Sequence, residues 1–285
     1  MIGGSGFLSG CLLLHLVRQN HKVICITRGK KPVLKSANVI NIVADRDTND
    51  LTKIVSGMSY DIVLDIVCRN EKHAQQSIDL TGSNRRLIMV STDYVYDPKF
   101  RKLLQSEQKA IYSQMDDYAG NKHRAELMIS SSMIRSVVLR PPHIYGPGSN
   151  PGTIPNHGRS QNLVEHIRSK KPLYLLQGGM GLIQPIYVHD LVRIIIDLSL
   201  NLKVTGVFNS GGAELITHAD YYEKIASILG VEIIIVPVYP NKKDVGNYVW
   251  GHRYYDMSLL NKALPNFDYT PFEDGMLDWI NNLEA

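Results

Sequence analysis

An α/β fold built on a doubly wound parallel sheet is predicted by three features of this sequence. Short β-branched runs alternate with amphipathic stretches as far as Arg140, a glycine-rich turn opens the chain, and the texture changes after Arg140. Runs of Val, Ile and Leu ending in polar or small residues predict strands at 22–27, 39–43, 62–67, 87–90 and 137–139. The stretches between them predict helices at 10–20, 48–57, 71–81 and 118–130. Such alternation is the signature of repeated βα units, whose helices cover both faces of a parallel sheet. Beyond Arg140 a loop dense in glycine and proline, 146–158, leads into mixed helix and strand pieces that suit a smaller substrate-binding lobe. The expected domains are 1–145 for the sheet domain and 146–285 for the lobe, with some of its segments returning to the sheet.

Composition narrows the function classes. A chain of 285 residues with 44% hydrophobic and 20% charged residues can bury a sizeable core, so disorder is not expected. The net charge of +4 is scattered, without the basic block or aromatic interleaving of a dedicated nucleic-acid binder. Nucleic acid is therefore not an expected partner. Cys11, Cys25 and Cys68 are odd in number, far apart and set in apolar runs, which argues against a disulfide framework and suits a reducing compartment. No apolar run reaches the roughly 18 to 20 residues of a membrane helix, because Arg193 and Asp197 interrupt the best candidate. A cytoplasmic protein with no membrane partner is expected, and the start of the chain lacks the basic region of a signal peptide. The ten histidines show no metal-ligand spacing, so no metal is expected.

Residues 3–10 read Gly-Gly-Ser-Gly-Phe-Leu-Ser-Gly and run directly into an apolar helical stretch. Glycines at such a turn let the backbone approach a pyrophosphate, whose charge is met by amide N–H groups at the helix N-terminus. This is the pattern of a Rossmann-type NAD(P)-binding domain, with Gly3, Ser5, Gly6, Phe7 and Leu8 as the expected cofactor contacts. An ordinary glycine turn is the competing reading. Ser9 occupies the place of a third glycine, which predicts slightly looser helix packing. A strand of about five residues should precede the loop, yet only Met1 and Ile2 do. Residues before Met1 in the native chain are therefore expected, and an intact mass matching 1–285 would overturn that.

At the end of the next predicted strand stands Thr27-Arg28-Gly29-Lys30-Lys31, where an acid would bind the adenine-side ribose of NAD. Arg28 could instead pair with the 2′-phosphate of NADP, which makes NADP the preferred cofactor and NAD the alternative. Lys30 and Lys31 read equally well as solvated charges. Asp45, after the following strand, is a candidate for the adenine amino group or else a turn cap.

Tyr118-Ala-Gly-Asn-Lys122 opens a helix, and the four-residue spacing places phenol and ammonium on one face. A tyrosine has an ordinary pKa of about 10, and a nearby ammonium lowers it, making Tyr118 a usable acid or base. Alone, such a pair is usually a plain helix face. Upstream, Ser91-Thr92-Asp93-Tyr94 follows a predicted strand, at the carboxyl end where α/β sites assemble. Thr92 could hydrogen-bond the same substrate oxygen as Tyr118, or simply satisfy strand-end backbone.

With these pieces in place the sequence resembles the extended short-chain dehydrogenase/reductases, also called the NAD-dependent epimerase/dehydratase family. The resemblance covers nearly the whole chain and rests on the glycine loop, on 91–96, on 118–122, on Leu-Arg-Pro-Pro-His-Ile-Tyr-Gly-Pro-Gly at 139–148, and on Pro-Ile-Tyr-Val-His-Asp-Leu at 185–191. It implies that Thr92, Tyr118 and Lys122 form the catalytic set, that Lys122 also holds the nicotinamide ribose, and that Pro141 flanks the nicotinamide. It further implies hydride transfer at a carbinol or ketone carbon of a nucleotide-linked sugar, by an epimerase or a reductase, and leaves room for a homodimer. Two departures matter. Tyr94 follows Asp93 where the dehydratases resemble a Thr-Asp-Glu arrangement, so elimination of water is not expected. Gln184-Pro185 stands where many epimerases carry an arginine, which makes Arg159 and Arg253 substitute substrate contacts or else ordinary surface arginines. Asp93 and His143 complete the substrate candidates. Two rival readings remain open: a reductase of a non-sugar carbonyl compound, and a non-catalytic NADPH-binding regulatory or RNA-binding member of the fold.

Overall fold

The structure, a computed structural model, describes residues 1–97, 104–108, 112–114, 117–153, 157, 160–239 and 252–283. Gly6, extended at the N-cap, starts α1 (Phe7–Arg18) earlier than the pattern predicts, because Ser9 Oγ accepts the Gly6 N–H at 3.1 Å and satisfies a donor of the first turn. β1 (Val23–Thr27) and β2 (Val39–Val43) follow, then a short α2 (Leu51–Ile54), β3 (Ile62–Asp65), α3 (Glu71–Thr81), β4 (Arg86–Val90), α4 (Tyr118–Ser131) and β5 (Arg135–Arg140). β2 and α3 have the predicted bounds. α2 is much shorter than 48–57: the Thr48 and Asn49 N–H groups both turn back to Asp45 O, and the helix begins only where the Asp50 carboxylate caps Thr52 N.

The second half supplies β6 (Ile144–Tyr145), α5 (Leu163–Arg168), β7 (Leu173–Leu176), β8 (Leu182–Ile183), β9 (Ile186–Tyr187), α6 (Val188–Leu200), β10 (Gly206–Asn209), β11 (Ile216–Thr217), α7 (His218–Ile228), β12 (Ile235–Val238), α8 (Ser258–Ala263) and α9 (Phe272–Leu283). β10 returns to the main sheet and pairs in parallel with β5, giving the order β10-β5-β4-β3. β1 and β2 form a parallel pair beyond β3. Met1 and Ile2 join the two sets: Ile2 N–H donates to Leu64 O at 2.8 Å on one side, and Ile26 N–H donates to Met1 O at 2.9 Å on the other. The strand order thus reverses around a two-residue stub, and crevices outside the carboxyl ends at such a reversal are where this architecture binds ligands. A cavity of about 570 Å³ lies under the stub, between β1, β3 and the C-terminal part of α6.

Two apolar clusters sandwich the sheet. The larger spreads from α1 through α6 into α7 and α9, and α6 alone buries Val188, Leu191, Val192, Ile194, Ile195, Ile196 and Leu198. The smaller packs α2, α3 and α4 on the other face. The helix that carries Tyr118 is tied to β5 by an ion pair, since Arg140, 3% exposed, donates from Nη2 to Glu126 at 2.6 Å and stacks over the Tyr96 and Tyr112 rings. Among the described residues no helix is long and apolar enough to cross a membrane.

Candidate active site

At the carboxyl end of the sheet, beside the reversal, a cleft of about 400 Å³ is lined by residues 6–9, 66–67, 90–94, 118, 141–144 and 253. It lies at the opposite end of the sheet from the larger cavity under the Met1–Ile2 stub. It is the better candidate, because it gathers a helix N-terminus, hydroxyls, a carboxylate and a guanidinium, whereas the larger cavity is mostly aliphatic.

Thr92 and Tyr118 meet in this cleft. Thr92 continues β4 and is 8% exposed, its Oγ1 accepting from Tyr94 N–H at 3.3 Å. Tyr118, at the first position of α4, is 55% exposed overall and lines the cleft beside Thr92. The first turn of α4 is fixed by Asp117, which accepts from Gly120 N–H at 2.9 Å. Burial pushes the Tyr118 phenol above its ordinary value, with the neighbouring Thr92 hydroxyl pulling the other way.

Lys122 is 3% exposed, and its ammonium donates to Cys68 O at 2.7 Å and to Val90 O at 2.8 Å. Burial holds its own pKa below the ordinary lysine value. Desolvation is the largest influence on Tyr118, while the Lys122 ammonium is held by two backbone carbonyls. Lysine has three N–H donors, so one remains beyond these two bonds.

Asp93 and Arg253 are brought together. Arg253 Nε donates to Asp93 Oδ2 at 2.9 Å, its Nη2 and the Tyr255 hydroxyl donate to the same oxygen, and the guanidinium lies 4.8 Å from the centre of the Tyr94 ring. Burial disfavours the charge on Arg253, but Asp93 more than offsets it and keeps the guanidinium charged. Arg253 is thus no ordinary surface arginine: it is 12% exposed and bonded to the cleft's carboxylate. His143 lines the same cleft with its Nε2 at 3.1 Å from the Tyr221 hydroxyl. Arg159 lies outside the described residues.

The glycine loop suits a bound pyrophosphate. Gly4 has φ +155°, and a Cβ there would lie 2.2 Å from Cys25 Sγ, so the loop is pressed against β1 and leaves the N-terminus of α1 open. Gly3, at φ +100°, leads into the turn; Ser5 is half-buried, Gly6 is exposed, and Phe7 and Leu8 line the cleft wall. Ser9 is 4% exposed and caps its helix, so the looser packing expected of it is not seen. Arg28 is exposed directly after β1. Asp45 takes the turn-capping alternative, its Oδ1 accepting from Asp47 N–H at 3.1 Å. Pro141 lines the cleft and accepts the Asp93 N–H at 3.2 Å. The Ser91 hydroxyl, also on the cleft wall, is buried without a hydrogen-bond partner, a polar atom that a bound ligand could satisfy.

The sequence reading missed Tyr255, which no local pattern distinguishes from the other tyrosines, and Arg69, an exposed guanidinium close enough to act on the Tyr118 phenol. It also missed a cluster behind the cleft, where Cys11, His15 and His189 converge. His189 was expected to be a structural strand-end residue; it opens α6 instead, facing α1.

The family model described as NAD dependent epimerase/dehydratase family matches residues 1–211. The chain belongs to this family. It shares the family's fold and its NAD-dependent enzyme class, of the extended short-chain dehydrogenase/reductase type. The chain is similar to the chloroplast stem-loop binding protein of 41 kDa b from Arabidopsis thaliana, 25% identical over 263 residues, covering 86% of this chain and 67% of that protein. Among solved structures it superimposes on dTDP-glucose 4,6-dehydratase from Bacillus anthracis in complex with NAD, at TM-score 0.81 and 17% identity, covering 99% of this chain and 95% of that one. It also superimposes on UDP-glucuronic acid 4-epimerase from Bacillus cereus in complex with UDP-glucuronic acid and NAD, at TM-score 0.77 and 20% identity, covering 99% and 98%. At these identities the structural likeness establishes the fold.

Proposed function

We propose that this family member is an epimerase or reductase that moves a hydride between an NAD(P) cofactor and a carbinol or ketone carbon of a nucleotide-linked sugar, with Tyr118 as the acid or base. The observation that carries this reading is the meeting of Thr92 and Tyr118 in one cleft with the glycine-loop end of α1. When bound, the cofactor supplies the hydride donor or acceptor and, in its oxidised form, a positive charge. Gly3, Ser5, Gly6, Phe7 and Leu8 would hold its pyrophosphate, Pro141 would flank its nicotinamide, and the remaining Lys122 N–H would reach its ribose. Asp45 would hold its adenine amino group only with the carboxylate oxygen not used on Asp47. Arg28, exposed where an acid would favour NAD, supports NADP as the preferred cofactor.

A phenol with a raised pKa is protonated at neutral pH. Tyr118 is thereby suited to give its proton to the oxygen of a carbonyl being reduced, while Thr92 hydrogen-bonds that oxygen. The Asp93–Arg253 pair and His143 line the same cleft and would orient the sugar. The nucleotide-sugar assignment draws on the solved relatives in complex with UDP-glucuronic acid and with UDP-glucose. A cytoplasmic location and a homodimer accompany it as proposals.

The test is Tyr118→Phe assayed against a panel of UDP- and dTDP-sugars, with NADPH and NADH binding followed by titration. Turnover should fall by about 10²- to 10⁴-fold with cofactor affinity unchanged; near-normal turnover would sink the mechanism. The similarity to a stem-loop binding protein favours one other reading, a nucleic-acid-binding member of the fold. Saturable gel-shift binding of a stem-loop RNA, with no nucleotide sugar turned over by the unaltered protein, would favour it.

A further inference from the structure

We infer that Cys11, His15 and His189 form a binding site for a borderline-soft divalent metal ion of the zinc class, clamping α1 to α6 behind the cofactor loop. Cys11 and His15 are four residues apart on α1 and share a face, and His189 enters from the first turn of α6. His15 Nε2 lies 2.9 Å from His189 Nδ1, Cys11 Sγ lies 3.3 Å from the same nitrogen, and all three ligand atoms fall within 4.8 Å of one another.

A hydrogen-bonded cluster uses this arrangement poorly, because His189 Nδ1 faces two neighbours and in a neutral ring either donates one proton or accepts at one lone pair. A metal ion serves all three atoms at once. Tetrahedral zinc, with bonds of about 2.0 Å to nitrogen and about 2.3 Å to sulfur, places its ligand atoms roughly 3.3 to 3.6 Å apart, so the two separations to His189 Nδ1 need open by only a few tenths of an ångström, while Cys11 and His15, within 4.8 Å, would close onto the ion. Two nitrogens and a sulfur select zinc-class ions over magnesium or calcium. On binding, the Cys11 thiol releases its proton to solvent and the thiolate and both neutral imidazoles donate lone pairs, leaving a fourth position for water.

The surroundings support such a clamp. All three residues are half-buried, so an ion has a path in, and none of them lines the cleft. The Tyr187 ring stands edge-on to His189 at 5.0 Å, and its hydroxyl holds the Asp278 carboxylate, which supplies a negative charge near the site. Arg18 and Arg193 are the opposing cations; Arg193 is paired with Asp190 at 2.6 Å. The site thus has the structural rather than the catalytic placement, and its effect would be to hold the middle of α1 against the start of α6.

The experiment is titration of the chelator-treated full chain with Co²⁺, then Zn²⁺ in competition, alongside thermal melting. The expected result is one ion per chain, a thiolate-to-cobalt band in the near ultraviolet that zinc displaces, and a melting temperature raised by several degrees in zinc. Cys11→Ser should abolish the band, and His15→Ala, a change near the surface that keeps the fold, should weaken binding at least tenfold. No saturable cobalt binding by the unaltered chain would overturn the site, and so would a band and affinity that survive in Cys11→Ser or His15→Ala. Melting without metal checks that each variant is folded.

Discussion

The guanidinium of Arg253 holds the carboxylate of Asp93, 160 residues earlier in the chain, and so ties the 252–257 segment to the strand end that carries Thr92. Both are largely buried, and removing one partner leaves the other charge without compensation. Arg253→Met should therefore cost about 3–5 kcal/mol in urea unfolding. The double variant with Asp93→Asn should lose clearly less than the sum of the two single losses. Additive losses would show that the pair is not energetically coupled.

Arg28 stands exposed just past β1. Arg28→Ala should leave the melting temperature unchanged and weaken NADPH by about 10- to 100-fold, the worth of a charge-assisted bond to phosphate, with NADH nearly unaffected. Calorimetric titration of both cofactors checks this, and equal effects on the two would reduce Arg28 to a solvated charge.

Gly4 is the tightest point of the glycine loop. Gly4→Ala places a methyl group 2.2 Å from Cys25 Sγ at φ +155°, so the loop must shift away from β1. Backbone strain of this kind costs about 1–3 kcal/mol. The expected outcome is a lower melting temperature together with weakened binding of both cofactors, because the displaced segment shapes the N-terminus of α1. Gly230→Ala, at φ +66° with nothing within 4 Å of the added methyl, is the control that should leave cofactor binding intact.

His218 is half-buried with its Nδ1 at 2.7 Å from Thr153 Oγ1, and desolvation lowers its pKa to about 4 from the ordinary 6.5. Its folded pKa is depressed, so as pH falls below 6.5 the unfolded chain takes up a proton that the folded chain refuses. Stability present above pH 6.5 should be lost progressively down to about pH 4, by about 3 kcal/mol from this residue alone. Unfolding curves across that range should show the slope, and His218→Asn, which keeps a partner for Thr153, should flatten it. His15, His157 and His189 are shifted in the same direction, so some slope will persist in the variant.

Much of this protein was legible in the sequence because the governing interactions are local. The bounds of β2 and α3 followed from apolar periodicity, the glycine turn from its spacing, and the Tyr118–Lys122 helix from a four-residue repeat that α4 realises. The shortening of α2 was less visible, since it depends on Asp45 drawing Thr48 and Asn49 into a turn. The tertiary structure alone decided where the charges go. It sends the Lys122 ammonium to Cys68 and Val90 rather than to Tyr118, sets Arg253 on Asp93, and gathers Cys11, His15 and His189 from helices that are adjacent in space but far apart in sequence. Periodicity fixes which face of an element is buried. The partner that a buried charge finds there is set by desolvation and by side-chain reach across packed elements, and neither is written in the spacing of residues along the chain.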